Sequence, residues 1–179
     1  MSKVELSGKL MVLVAAVAAT GSVLVACSGA STPSGTSTAT SASPADTSWY
    51  TSIKSCDLLD QSQLKPLGYT VQGYVTANDS TENSCEWDQG AYSTLGIELS
   101  AKTFDSLKPS GGPVTDITIA GRPGKISPGT QGTCDLAIKA TSGSRARIIV
   151  ALAVGNGDQA CEVAKQAATD IAPKLPALK

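Results

Sequence analysis

The segment from Arg145 to Val154 constrains the fold more than any other part of the chain. Ala146, Ile148, Val150, Leu152 and Val154 line one face at strand period, while Arg147, Ile149, Ala151 and Ala153 line the other. A strand whose second half is apolar on both faces belongs in the middle of a sheet, covered on both sides or by a long helix. Such a helix follows directly. From Asp158 to about Pro173, Ala160, Val163, Ala164, Ala167, Ala168 and Ile171 fall on one arc at helical period, with Cys161 at its edge. Glu162, Lys165, Gln166 and Thr169 take the opposite arc. Because the apolar arc is mostly alanine, the helix axis can approach the sheet closely. Asn156, Gly157 or Asp158 caps this helix, and Pro173 and Pro176 stop it.

Shorter elements precede this pair. Ser55 and Asp57 stand where an N-cap and a first-turn acid belong, and Asp60 with Gln63 repeats the capping pattern before Leu64, with Pro66 and Gly68 as the stop. The period then changes to two. Tyr69, Val71, Gly73 and Val75 alternate with polar residues, Ser84 to Gln89 carries Cys85 and Trp87 on one face, and Leu95, Ile97 and Leu99 follow a turn at Gly90 and Ser93. After a loop from Lys108 to Pro113, Ile117 and Ile119 lead into a turn at Gly121-Arg122-Pro123-Gly124, and Cys134, Leu136 and Ile138 form the next strand. The pattern predicts an α+β fold: an antiparallel β-sheet of about five to seven strands with a short N-terminal helix and a longer C-terminal helix.

The domain begins only at Trp49. Lys3 and Lys9 flank Glu5, Leu10 to Ala26 is apolar or small, and the run ends in Leu24-Val25-Ala26-Cys27. This is the pattern of a secretory signal peptide, residues 1–26. Its last four residues resemble the lipobox of bacterial lipoproteins, in which the cysteine receives diacylglycerol and a fatty acyl group and becomes the new N-terminus. A retained transmembrane helix is the competing reading. It would sit at the short edge of the roughly 17–25 residues that span a bilayer, and Thr20-Gly21-Ser22 interrupts it. Residues 27–48 then form a tether of Ser, Thr, Ala, Gly and Pro with one charge, Asp46, too polar to bury a core. Its r.m.s. reach is about 25 Å. Residues 49–179 form the single domain.

With Cys27 committed to lipid, Cys56, Cys85, Cys134 and Cys161 remain. Outside the cytoplasm an even set reads as two disulfides, of which three connectivities are possible. No CxxC pair and no zinc-ribbon spacing occurs. The pairing Cys56 with Cys85 and Cys134 with Cys161 is favoured, because each bridge then joins a helix to a strand nearby in sequence.

The chain contains no histidine, which removes a Ser-His-Asp triad, a Cys-His dyad and His-ligated metal. A net charge of −1 gives no field for nucleic acid. Glu82, Glu86 and Asp88 with Asp79 and Asn83 form the most acidic stretch, but lack the order of an EF-hand and read as a solvated strand end. Asp57 and Asp60 read as helix-start acids, Arg122 as a hairpin tip, Trp87 as packing on a disulfide, and Trp49 and Tyr50 as a latch on the domain edge. No catalytic or metal-binding residue is expected, no cofactor beyond the lipid on Cys27, and ligand-binding residues stay unassigned.

Cys56-Asp57-Leu58-Leu59 with Leu64 and Leu67-Gly68, then Cys85-Glu86-Trp87, Cys134 on a strand and Cys161 opening an Ala-rich helix resemble the family of domain of unknown function 3558. The resemblance implies a small actinobacterial cell-envelope lipoprotein, supports the bridge pairing above, and carries no activity. The expectation is a non-enzymatic lipoprotein, extracytoplasmic and lipid-anchored to the membrane, that binds an envelope or membrane protein. The alternative is a carrier of a lipid or other apolar small molecule, which needs a cavity lined by residues such as Ile148, Val150, Leu152 and Val163.

Overall fold

A computed structural model describes residues 48–178. Cys27, the expected signal peptide (residues 1–26) and nearly all of the expected tether lie outside the described residues.

The domain opens with α1 (Ser48–Ser52), a 3-10 turn at Ser55–Asp57 and α2 (Gln61–Leu64), which runs into a second 3-10 turn at Lys65–Leu67. Asp60 caps α2 as expected, its carboxylate accepting from the amides of Ser62 and Gln63 while the Gln63 side chain accepts from the Asp60 amide. Ser55 caps nothing: it is buried inside the first 3-10 turn, where Lys54 holds the cap position. Seven strands follow, β1 (Tyr74–Asn78), β2 (Glu82–Gln89), β3 (Ser93–Ser100), β4 (Thr115–Ile119), β5 (Arg122–Pro128), β6 (Thr133–Thr141) and β7 (Ser144–Ala151). The last long element is α3 (Gly157–Ile171), capped by Asn156 with Gln159 in the reciprocal position.

All seven strands pair antiparallel in the order β1-β2-β3-β7-β6-β5-β4. The strand expected in the middle is in the middle. The order also has a topological consequence: β1 to β3 form one meander, β4 to β7 a second, and the 101–114 connection must travel from the sheet centre to its far edge. Its 3-10 turn at Phe104–Ser106 touches β5, β6 and β7 on the way.

The two faces of the sheet differ in kind. One is covered by α3 and by the N-terminal helical segment, and Leu58, Leu64, Tyr69, Trp87, Ile97, Leu136, Ile148 and the alanines of α3 form a continuous apolar cluster there. Trp49 and Tyr50 belong to this cluster and pack edge to face, with the Trp49 indole donating to Ser144 Oγ at 3.0 Å and the Tyr50 hydroxyl to the Ser80 carbonyl at 2.7 Å. Asn83 donates its amide to the carbonyls of Tyr50 and Ile53, so the latch is fixed from the sheet as well. The disulfides are Cys56–Cys85, joining the first 3-10 turn to β2, and Cys134–Cys161, joining β6 to α3. Both are the pairings the spacing favours.

Two expectations need correction. The first strand starts at Tyr74, not Tyr69: residues 69–73 leave a left-handed Gly68 and pass over Trp87 and Cys85. They pass so closely that a Cβ on Gly73 would stand 2.5 Å from the indole nitrogen. β7 ends at Ala151, where its partners end too, at Thr94 and Thr133, so Val154 has nothing to pair with and is 92% exposed. Val163, on the expected apolar arc, is half-buried and packs against the core at the edge of the α3 interface.

Arg122 is the largest departure. The β4–β5 turn is Ala120-Gly121, with φ of 48° and 76°, the positive pair that a two-residue hairpin requires. Arg122 is therefore the first residue of β5 and buried. Nε donates to the carbonyl of Ala172, Nη1 to those of Lys139 and Ala140, and Nη2 to those of Leu175 and Pro176. It is a clamp on the chain leaving α3.

Candidate functional site

The second face of the sheet carries charge where the first carries the core. Alternation places Glu98 of β3, Arg145 and Arg147 of β7 and Asp135 of β6 on it, and the antiparallel register sets Glu98 opposite Arg147. Glu98 takes both arginines: Arg145 Nη2 donates to Oε1 at 3.2 Å and Arg147 Nη1 to Oε2 at 3.3 Å. Ser100 donates to Oε1 at 2.9 Å, and Lys102 stands at 3.4 Å from the same atom. Arg147 turns its Nε to Asp135 Oδ1 at 2.8 Å.

Glu98, Asp135 and Arg145 are all buried. For Glu98, burial alone would raise the pKa; the Ser100 hydroxyl and the Arg145 guanidinium outweigh it and hold the carboxyl below the ordinary glutamate value. A carboxyl with a depressed folded pKa adds stability above its unfolded pKa, and that contribution is lost as pH falls through the folded one. Stability is therefore expected to fall below about pH 4.5 as Glu98 is protonated. Denaturant titration across this range checks it, and Glu98→Gln should flatten the dependence; an unchanged pH profile in that variant would count against the network.

The 101–114 connection roofs this charged surface. Ser106 accepts from Arg145 Nη1 at 3.1 Å, Ser110 Oγ donates to Asp135, and the Ser110 amide donates to Ser127 Oγ at 3.0 Å. Leu107 is buried beneath the roof. Between roof and strands lies an open cavity of about 550 Å³, within the range of small-molecule sites. Lys102, Lys108, Arg145, Arg147 and Asp135 line it. None of these residues stood out in sequence, although Arg145 and Arg147, two apart on a strand expected at the sheet centre, were a usable signal.

Of the acids singled out in sequence, only Glu86 and Asp88 are brought together, at the Tyr74 hydroxyl. Asp79 accepts from Thr81 and Glu82 within its own turn, Glu86 and Asp88 both accept from the Tyr74 hydroxyl, and Asn83 faces the core. Among the described residues no group of three or more Cys, Asp or Glu side chains is placed to hold a metal ion. Asp57 lies in the first 3-10 turn and Asp60 is engaged in capping. Cys27, the expected lipidation residue, lies outside the described residues.

Fold and site together define a disulfide-stapled α+β domain with one apolar, covered sheet face and one charged face partly roofed by a loop. The profile of a family described as a protein of unknown function, DUF3558, matches residues 22–174, and the chain belongs to that family. No curated protein and no solved structure matches it.

Proposed function

We propose that this protein is a non-catalytic binding or accessory domain of the cell envelope, cleaved before Cys27 and held on the outer face of the plasma membrane by diacylglycerol and a fatty acyl chain on that residue. One observation carries the choice of binding domain over apolar carrier. Ile148 and Val150, which a carrier needs as cavity lining, have no accessible surface, so no water-sized space touches either side chain. The recess under the 101–114 connection is polar and lies on the opposite face, and a second recess of about 500 Å³ between α2 and α3 reaches Val163 but neither Ile148 nor Val150. Two disulfides support an oxidising compartment. Several acyl chains on one residue give the stable anchoring that a single chain does not.

Cys27→Ala is expected to move the protein from the detergent phase to the aqueous phase and to change its mass by the missing lipid; unchanged partitioning would refute the anchor. In-cell crosslinking of the lipidated form is expected to capture one envelope or membrane protein. A co-purifying apolar lipid with no crosslinked protein would favour the carrier instead.

A further inference from the structure

We infer that the cavity between the 101–114 connection and strands β6 and β7 is a binding site for a phosphate group. The inference rests on the binding-domain reading and names the chemistry of its ligand. Two independent observations support it.

The first is charge. Four cations, Lys102, Lys108, Arg145 and Arg147, meet two carboxylates, Asp135 in the lining and Glu98 beneath it. Glu82 approaches Lys102 from outside the cavity at 3.7 Å. Counting it or not leaves a surplus of about one or two positive charges in a partly enclosed space, where a phosphate ester supplies about −1 to −2. A single carboxylate would leave part of the larger surplus uncompensated.

The second is an unfilled donor. Arg145 is 4% exposed, and its Nη1 and Nη2 are bound to Ser106 and Glu98, yet its Nε has no partner among the described residues. A buried N–H left unpaired is costly, and most such groups in folded proteins find an acceptor. This one belongs to a residue of the cavity wall but has itself under 1 Å² of accessible surface, so an anionic oxygen completes the guanidinium only by displacing a group that now covers Nε. Arg147, by contrast, already spends its Nε on Asp135. Arg145 is thus the anchor, and Lys102 and Lys108 are the point charges that hold the remaining oxygens. Ser106 and Lys108 both come from the roof, so binding also fixes the 101–114 connection against the sheet.

The test uses the full-length chain in neutral detergent. Titration with glycerol phosphate at low salt is expected to shift the Arg145 Nε–H resonance, identified by its loss in Arg145→Lys, while the Arg147 Nε–H moves little. The double substitution Lys102→Gln with Lys108→Gln is expected to weaken binding about tenfold or more in a domain that circular dichroism shows still folded, since each lysine supplies about the energy of a charge-assisted contact. Because Lys102 also stands 3.4 Å from Glu98, Lys108→Gln alone is the variant outside that network and is expected to weaken binding with the melting temperature unchanged. Adding vesicles of phosphatidylcholine with and without phosphatidic acid separates the sources: protection of the 101–114 amides from exchange only with phosphatidic acid identifies a lipid headgroup, and protection only with glycerol phosphate a free ester. No movement of the Arg145 resonance with either ligand, or unchanged affinity in the double lysine variant, overturns the phosphate site. A crosslinked envelope partner in that case would leave the binding-domain reading standing, so the two fail separately.

Discussion

Reduction of both disulfides under otherwise native conditions is expected to remove most of the stability of the domain. Cys56–Cys85 and Cys134–Cys161 close loops with separations of 29 and 27 residues, and these loops do not overlap in sequence. In the chain-entropy relation each contributes about 3.5 kcal/mol, or about 7 kcal/mol together. A domain of this size has about 5–15 kcal/mol in total. The loss therefore takes most of the stability of an average domain. Circular dichroism with and without reductant measures it, and a reduced form melting within about 3 °C of the oxidised one would refute it. Each bridge removed singly, as a Cys-to-Ala pair, should lower the melting temperature on the order of 10–15 °C.

The two bridges do not hold equivalent things. Ala160, Ala164, Ala167 and Ala168 make up most of the buried side of α3, and alanine supplies little apolar area per contact. Much of the attachment must come from the larger groups at either end of the helix. Cys161 provides it at the N-terminal end and Ile171 at the C-terminal end, both buried. Loss of Cys134–Cys161 is accordingly expected to raise amide exchange across α3 before it affects β1 to β3, and loss of Cys56–Cys85 the reverse. Equal exchange changes in both variants would mean that the domain opens as one unit.

Features legible in sequence were those set by local period or by short separation. The central place of β7 followed from Ile148 to Ala151 being apolar on both faces, and α3 from its alanine arc. The disulfide pairing followed because each partner lies one supersecondary unit from the other. What escaped depended on strand order. Glu98 and Arg147 are neighbours only because β3 pairs with β7 across two meanders, and nothing in the spacing of 49 residues encodes that. The roof over the charged face escaped for the same reason: a loop from 101 to 114 reads as a linker until the sheet order requires it to cross three strands. Strand ends were missed where a partner ran out, as at Val154. The misreading of Arg122 was a shift in register. Moving the turn to Ala120-Gly121 converts an exposed tip residue into a buried one, because β5 then begins with Arg122 on the core side.

That register shift also gives the largest single-residue effect expected in the domain. Arg122→Met should cost about 2–4 kcal/mol, since hydrogen bonds to a charged group contribute about 1.5–3 kcal/mol and a buried carbonyl left unpaired costs about 1–3. The side chain is 8% exposed and donates to five backbone carbonyls, three of them in the chain just beyond α3. Those at Leu175 and Pro176 lie beyond the helical ladder, and that at Ala172 has only a long bond from the Leu175 amide, at 3.4 Å, in the last turn, where the helix dipole favours a cation. Methionine fills much of the same volume but offers no donor, so the buried carbonyls lose their partner. Lysine restores the charge without the planar fork, and three rotatable donors on one nitrogen cannot reach acceptors on both β6 and the C-terminal segment at once. Arg122→Lys should therefore recover little of the loss. The exchange signature differs from that of the disulfide variants: amides of Ile171 to Leu175 should open first, with the Cys161 end of α3 still held by its bridge. An Arg122→Lys protein melting within about 2 °C of the parent would show that charge alone holds the terminus and that the fork is dispensable.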